Sequence, residues 1–163
     1  MSQYFDNDKN IKSERKIIKF NFDNKVFSIY SDNGVFSKDR FDYGTRVLLN
    51  SVDIDKLSGN VLDLGCGLGV VGIILGTFNK CINIDMVDIN ERAISLIEYL
   101  GVPNSYSPNS KDKLPEKLSI GENVSKTSLT PSVVNHLYEA VCTSNKSLIA
   151  SEFLIIEKFL LFL

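Results

Sequence analysis

Residues 60–72 read Asn60-Val61-Leu62-Asp63-Leu64-Gly65-Cys66-Gly67-Leu68-Gly69-Val70-Val71-Gly72. A short apolar run carries an acid near its end. Three alternate glycines follow, and apolar residues then resume at helical spacing. Nineteen residues past Gly69, a second run from Ile82 to Val87 ends in Asp88. Strand, glycine turn, helix, strand and acid, in that order, is the pattern of a half-domain that binds adenosine-type cofactors. No other stretch of the chain carries chemistry this specific.

Glycines are needed where a strand turns sharply into a helix and a ligand must approach the backbone, because a β-carbon there would obstruct both. Amides freed at the helix start are expected to face the ligand. Asp88, after the second strand, is placed to accept both hydroxyls of a ribose. Two cofactor classes compete. Gly67 to Gly72 is a literal G-x-G-x-x-G, so a dinucleotide such as NAD has to be weighed. Asp63 argues against it, since a second carboxylate beside the turn repels a diphosphate and suits a cationic amine, as in S-adenosylmethionine (SAM). Unit charges ~4 Å apart interact by about 4 kcal/mol at an effective dielectric of 20, so the sign matters. The motif also begins after some 60 residues, whereas many dinucleotide domains open with theirs. SAM is preferred; NAD and a glycine turn without a ligand stay open.

The remaining pattern places this unit in an α/β frame. Residues 15–31 predict a β-hairpin, with Lys16, Ile18, Phe20 and Phe22 on one parity, a turn at Asp23-Asn24, and Val26, Phe27 and Ile29 in the return strand. Ser31 to Gly34 predicts a second turn. Asp42 caps a helix expected to run to about Val52, with Val47 and Leu48 set to pack inward. Val61–Leu64 and Cys81–Val87 are the central strands. A helix from Val70 to about Phe78 joins them, and Asn90 caps another from Glu91 to about Leu100. Residues 102–131 are rich in Ser, Asn, Lys and Pro and show no apolar strand. From Ser132 the spacing reads as helical, through Leu148 to Leu163.

The chain has 163 residues, enough for one domain with a real core and short for two. Net charge is −2, so charge makes no general case for nucleic acid. Residues 9–40 alone hold eight Lys/Arg against four Asp/Glu, read here as an ordinary solvated face. The three cysteines, Cys66, Cys81 and Cys142, are odd in number and lack metal-ligand spacing, which predicts a reducing compartment and no metal. The polar start from Ser2 to Lys16 is no signal peptide. The apolar stretch Phe153–Leu163 is 11 residues long, against the ~20 a membrane span needs, and reads as a buried helix or strand. A cytoplasmic protein without a membrane partner is expected. The single histidine, His136, reads as structural, and Cys66 as a small residue in a tight loop. Tyr4 and Tyr43 read as packing residues, and Asp39 and Asp42 as turn and cap.

Three stretches together resemble the class I SAM-dependent methyltransferases, and among them the methyltransferase small domain group, which includes ribosomal RNA guanine-N2 methyltransferases. They are Asp32-Asn33-Gly34-Val35-Phe36-Ser37-Lys38 with Asp42 to Leu49 close behind, Val61 to Gly69, and Val87-Asp88-Ile89-Asn90-Glu91-Arg92-Ala93. Tyr4-Phe5 fits the same opening. The likeness covers about residues 3–97. The glycine turn is common to all class I members, and the Gly-Val-Phe-Ser stretch upstream is the restrictive part. The resemblance implies a Rossmann-like fold and SAM as cofactor. Asp63, Gly65, Cys66, Gly67 and Gly69 would hold the methionine part and Asp88 the ribose. Phe36-Ser37 and Gly44-Thr45 would lie near the pocket. It implies ribosomal RNA as substrate, methylated on a guanine exocyclic amine.

One departure is large. The group carries an Asn-Pro-Pro-aromatic segment after its fourth strand, which receives the base, and an acid after the third strand near the adenine. Neither is present; Pro103, Asn104, Pro108 and Asn109 do not form the motif. No residue is assigned to catalysis on this basis. The chain reads as a partial fold in three parts: 1–57 hairpin and helix, 58–101 cofactor-binding half, and 102–163 divergent. A shift of reading frame near residues 97–101 is one account of the last part; natural divergence is the other. A non-catalytic SAM- or RNA-binding remnant is then the third functional class, beside methyltransferase and NAD-dependent oxidoreductase.

Overall fold

Alternating apolar residues around a two-residue turn make the first element. The computed structural model describes residues 7, 8, 10–97, 124–128 and 153–157. In it β1 (Lys16–Phe22) pairs antiparallel with β2 (Lys25–Ser31), with Ile18 opposite Ile29 and Phe20 opposite Phe27. Asp23 and Asn24 both take positive φ, 43° and 59°, the conformation whose twist suits a two-residue hairpin. Ile18, Phe20 and Phe22 are buried, as their parity predicts. Phe20 stacks on Phe27 with centroids 5.6 Å apart, and Phe22 meets Phe41 and Phe78 edge-on at 6.5 and 6.0 Å. Phe78 closes the central helix, so this aromatic cluster fastens the hairpin to the central unit.

Helix α1 (Tyr43–Ser51) starts where Asp42 predicts, and the Asp42 carboxylate accepts the Thr45 amide at 2.8 Å. Its buried face differs from the expected one. Thr45 and Leu49 point inward, Leu48 is partly buried against the core, and Val47 is 41% exposed. Thr45 and Leu49 are four apart and so share a face; the apolar character of Val47 was a poor guide to its direction.

The central unit matches its reading closely. Strands β3 (Gly59–Leu64) and β4 (Ile82–Asp88) are parallel neighbours, joined by α2 (Val70–Phe78), and α3 (Glu91–Leu96) follows behind the Asn90 cap. The part of the predicted third helix after Ile97 lies outside the described residues. Helix α2 contains two glycines and several β-branched residues, which lower helix propensity by roughly 0.5–1 kcal/mol each. Val71, Ile74 and Leu75 are fully buried, and burial of such side chains contributes about 1.5–3 kcal/mol apiece. Packing, not propensity, holds this helix.

The sheet also extends beyond the expected elements. Strand β5 (Val124–Ser128) pairs parallel with β4, and β6 (Phe153–Glu157) pairs parallel with β3, giving the order β5-β4-β3-β6. Of the helix and strand readings of the stretch from Phe153, the strand holds at 153–157 against the helical spacing read from Leu148, and the run Phe-Leu-Ile-Ile-Glu is extended beside β3. A short apolar run does not by itself separate buried strand from buried helix. Val124–Ser128 holds a single apolar residue, so no apolar run marks it. Strands count outward from β3 through β4 to β5, and the chain then crosses to β6 on the other side. The order reverses between β3 and β6, the switch point outside whose carboxyl ends open α/β sheets bind ligands. His136, Tyr4, Tyr138, Cys142 and the predicted helix beginning at Ser132 lie outside the described residues.

Candidate cofactor site

The chain leaves β3 at Leu64 and enters α2 at Val70, so Gly65–Gly69 must reverse direction at the carboxyl edge of the sheet. Gly65, Gly67 and Gly69 take φ of 73°, 56° and 72°. The loop folds onto the end of β4. The amides of Gly65 and Cys66 both donate to the Val87 carbonyl, at 2.9 and 3.0 Å. The Gly67 amide donates to Asp88 Oδ2 at 2.6 Å, and the Gly69 amide to the Cys66 carbonyl at 2.9 Å.

These bonds confine the expectation of ligand-facing amides to the start of α2 itself. The amides of Gly65, Cys66, Gly67 and Gly69 do not stand free for a ligand; each is engaged within the protein. Diphosphate recognition at such a turn relies on open amides at a helix start. The third glycine of the literal dinucleotide motif also has another task. A β-carbon on Gly72 would stand 2.4 Å from Met86 Sδ, so its absence allows α2 to lie against β4.

Asp63 is fully buried, and its Oδ2 accepts the Gly72 amide at 3.1 Å. The carboxylate sits beneath the first turn of α2, where the helix dipole favours a negative charge. With no accessible surface in this conformation, it acts on its surroundings through its charge and its bond to Gly72. Cys66 is also fully buried and part of the core, which agrees with its reading as a small residue in a tight loop.

Asp88 is half-buried at the end of β4. Oδ2 holds the Gly67 amide and Oδ1 accepts the Asn90 amide at 2.8 Å. A carboxylate has about four acceptor positions, so two backbone donors orient it and leave capacity for two hydroxyls. The remaining acceptor capacity therefore fits the two hydroxyls of a ribose.

The Gly34–Ser37 turn reaches the same edge of the sheet. Asn90 Nδ2 donates to the Gly34 carbonyl at 2.8 Å, and Phe36 is 42% exposed on that turn. Ser37 takes φ of 52°, and its hydroxyl donates to the Arg40 carbonyl at 2.7 Å. Thr45, expected near the pocket, is engaged at the start of α1. Its amide and hydroxyl both serve Asp42, at 2.8 and 3.2 Å, and it is 4% exposed. It is the third residue of α1, held by the Asp42 cap.

Sequence reasoning missed the group that fixes this turn. Asp32 is 2% exposed and accepts the Ser13 hydroxyl at 2.6 Å, the Glu14 amide, and the Asn33 amide at 2.7 Å. Arg92 lies 3.6 Å from it and donates to the Asn33 and Ile11 carbonyls at 3.1 and 2.7 Å. Burial alone would raise the Asp32 pKa; the Ser13, Glu14 and Asn33 donors, with the Arg92 charge, outweigh it and hold the carboxyl below its ordinary 3.8. Asn7 bonds the Ile89 carbonyl and the Glu91 amide, both at 2.9 Å. One signal was legible: Arg92 is a cation in the first turn of a helix, where the dipole disfavours it, so it needed a partner elsewhere.

The basic surplus of residues 9–40 is largely occupied locally. Lys16 pairs with Asp39, Lys38 donates to Asn33 Oδ1 at 2.8 Å, and Lys25 lies 4.5 Å over the Phe78 ring. Among the described residues, no helix is long and apolar enough to cross a membrane.

Residues 26–106 match the family described as "Methyltransferase small domain". The "Uncharacterized protein YbxB" of Bacillus subtilis (strain 168) is 40% identical over 97 residues, covering 59% of this chain and 48% of that protein. "Ribosomal RNA small subunit methyltransferase C" of Aliivibrio fischeri (strain MJ11) is 45% identical over 84 residues, covering 51% of this chain and 24% of that protein. Among solved structures, "T. Thermophilus 16S rRNA N2 G1207 methyltransferase (RsmC) in complex with AdoMet and Guanosine" aligns with a TM-score of 0.47 and 20% identity, covering 53% of this chain and 24% of that chain. The chain thus matches half or less of the length of these relatives.

Proposed function

We propose, from the match of residues 26–106 to the methyltransferase small domain family, that this chain binds SAM at the carboxyl edge of β3 and β4. Its function on this reading is that of a methyltransferase directed at a guanine exocyclic amine of ribosomal RNA. The observation that carries the cofactor assignment is the Asp88 carboxylate, fixed by the Gly67 and Asn90 amides with acceptor capacity to spare. On this reading Asp88 accepts the ribose hydroxyls, and Gly65, Gly67 and Gly69 give the methionine part a surface without side chains. Asp63 and Cys66 act from beneath, Asp63 through its charge and its hold on Gly72. Phe36 forms the outer wall, while Thr45 supports α1.

Bound SAM supplies an activated methyl on sulfur, and the protein's share of such a reaction is alignment. The group's acceptor-binding segment follows its fourth strand. Here the fourth parallel strand, β6, ends at Glu157 and is followed by Lys158-Phe159-Leu160-Leu161. This favours a second reading, a chain that binds cofactor without turnover. The dinucleotide reading loses support at Gly65, Cys66, Gly67 and Gly69, whose amides are engaged within the protein.

Isothermal titration with S-adenosylhomocysteine, on wild type and Asp88→Ala, tests the assignment. Heat with wild type and its loss in the variant is the expected result. Silence with wild type, or binding of NADH instead, sinks it. A methylation assay on ribosomal RNA then separates the active from the inactive reading.

A further inference from the structure

Asn90 performs three tasks at once. Its Oδ1 accepts the Ala93 amide at 3.0 Å and caps α3. Its backbone amide holds Asp88 Oδ1 at 2.8 Å. Its Nδ2 reaches 56 residues back to the Gly34 carbonyl at 2.8 Å. The cap needs an acceptor and Gly34 needs a donor, so both bonds together fix which way the carboxamide faces. The residue is 7% exposed, so water does not readily replace either bond.

Capping alone would be served equally by Ser or Asp. Neither supplies the donor to Gly34. The Gly34 bond lies two residues from Phe36, whereas Arg92 holds the turn further back, at Asn33. Asn90 is therefore the point where the Phe36 turn meets the residue next but one to Asp88.

We infer that Asn90 is a positioning residue of the cofactor site, locking the Gly34–Ser37 turn to the Asp88 carboxylate so that Phe36 closes the pocket wall. The inference rests on the cofactor reading above. It assigns Asn90 no contact with reacting atoms. Its contribution is a prearranged wall, which lowers the ordering that binding would otherwise require.

The test separates the tie from the cap. Asn90→Ser keeps a capping oxygen and loses the reach to Gly34; Asn90→Ala loses both. S-adenosylhomocysteine is titrated into the full chain of each, and thermal unfolding is measured alongside. Both variants are expected to lose affinity alike, by about tenfold, while Asn90→Ala, which gives up the cap as well, loses more thermal stability than Asn90→Ser. Affinity that follows stability, with Asn90→Ser binding like wild type, overturns the inference. The chain contains no tryptophan, so Phe36→Trp gives a single optical reporter on the turn. S-adenosylhomocysteine should shift its emission, and adding Asn90→Ser should abolish that shift; an equal shift in both backgrounds overturns the inference. If wild type fails to bind, the cofactor reading itself falls, and this inference with it.

Discussion

Gly72 and Met86 are in such close apposition that a β-carbon on the glycine would lie 2.4 Å from the methionine sulfur and 2.7 Å from its Cγ. Met86 is fully buried, so its side chain has little room to retreat. The spacing between helix α2 and strand β4 is set here, and the Gly72 amide that holds Asp63 depends on it.

Gly72→Ala should therefore destabilise the chain despite the better helix propensity of alanine. Overpacking costs about 1–3 kcal/mol, against a propensity gain of roughly 1 kcal/mol. A fall in midpoint of up to roughly 8 °C is expected in a thermal scan. Trimming the sulfur side chain with Met86→Ala in the same chain should cost less than the two single effects added together. Additive losses would show that the two residues do not oppose each other.

Asp88→Asn should weaken S-adenosylhomocysteine binding more than it weakens the fold. Replacing the charged acceptor removes hydrogen bonds worth about 1.5–3 kcal/mol, or roughly 10–100-fold in affinity. Calorimetry on the two proteins measures this directly. Unchanged affinity would remove Asp88 from the site.

Acid should expose the Asp32 network. Its carboxyl lies below the ordinary value in the folded chain, so the folded state resists protonation more than the unfolded state does. Stability from this group is complete above the unfolded carboxylate range, near pH 4, and drains away as pH falls through the folded value. Asp32→Asn should cost about 1–3 kcal/mol at neutral pH. The gap between wild type and variant in urea titrations should narrow below about pH 4. A gap that stays constant down to pH 3 would contradict the role given to this charge.

Asn24 occupies a left-handed conformation, φ 59°, which asparagine tolerates and alanine does not. Asn24→Ala should cost roughly 1–2 kcal/mol, while Asn24→Gly should stay within about 0.5 kcal/mol of wild type. Chemical denaturation of the pair decides whether this turn sets the hairpin.

Much of the first two-thirds was legible because local rules and tertiary structure agree there. Alternation set the hairpin parity, Asp42 and Asn90 stood where caps belong, and the glycines marked the turn at the sheet edge. The glycine loop was located correctly, but its amides turn out to hold Val87 and Asp88, a use no spacing reveals. Val47 shows the limit of reading an apolar residue without its partner face. Asn79, which bonds the Ile54 and Leu57 carbonyls at 2.8 and 2.9 Å, and Asp32 are polar residues whose partners lie far off in sequence. Strand β5 escaped because a strand can be defined by the ladder it joins rather than by its own apolar content.

The bonds from Asn7 to Glu91 and from Arg92 to Ile11 span 84 and 81 positions. They impose an order of events on a growing chain. The opening residues of this segment cannot settle until the ribosome has delivered the third helix, because their anchors do not yet exist. Closing so wide a ring comes late and slowly in folding, so Asn7 and Ile11 dock beside the end of β4 only after the elements between them have taken shape.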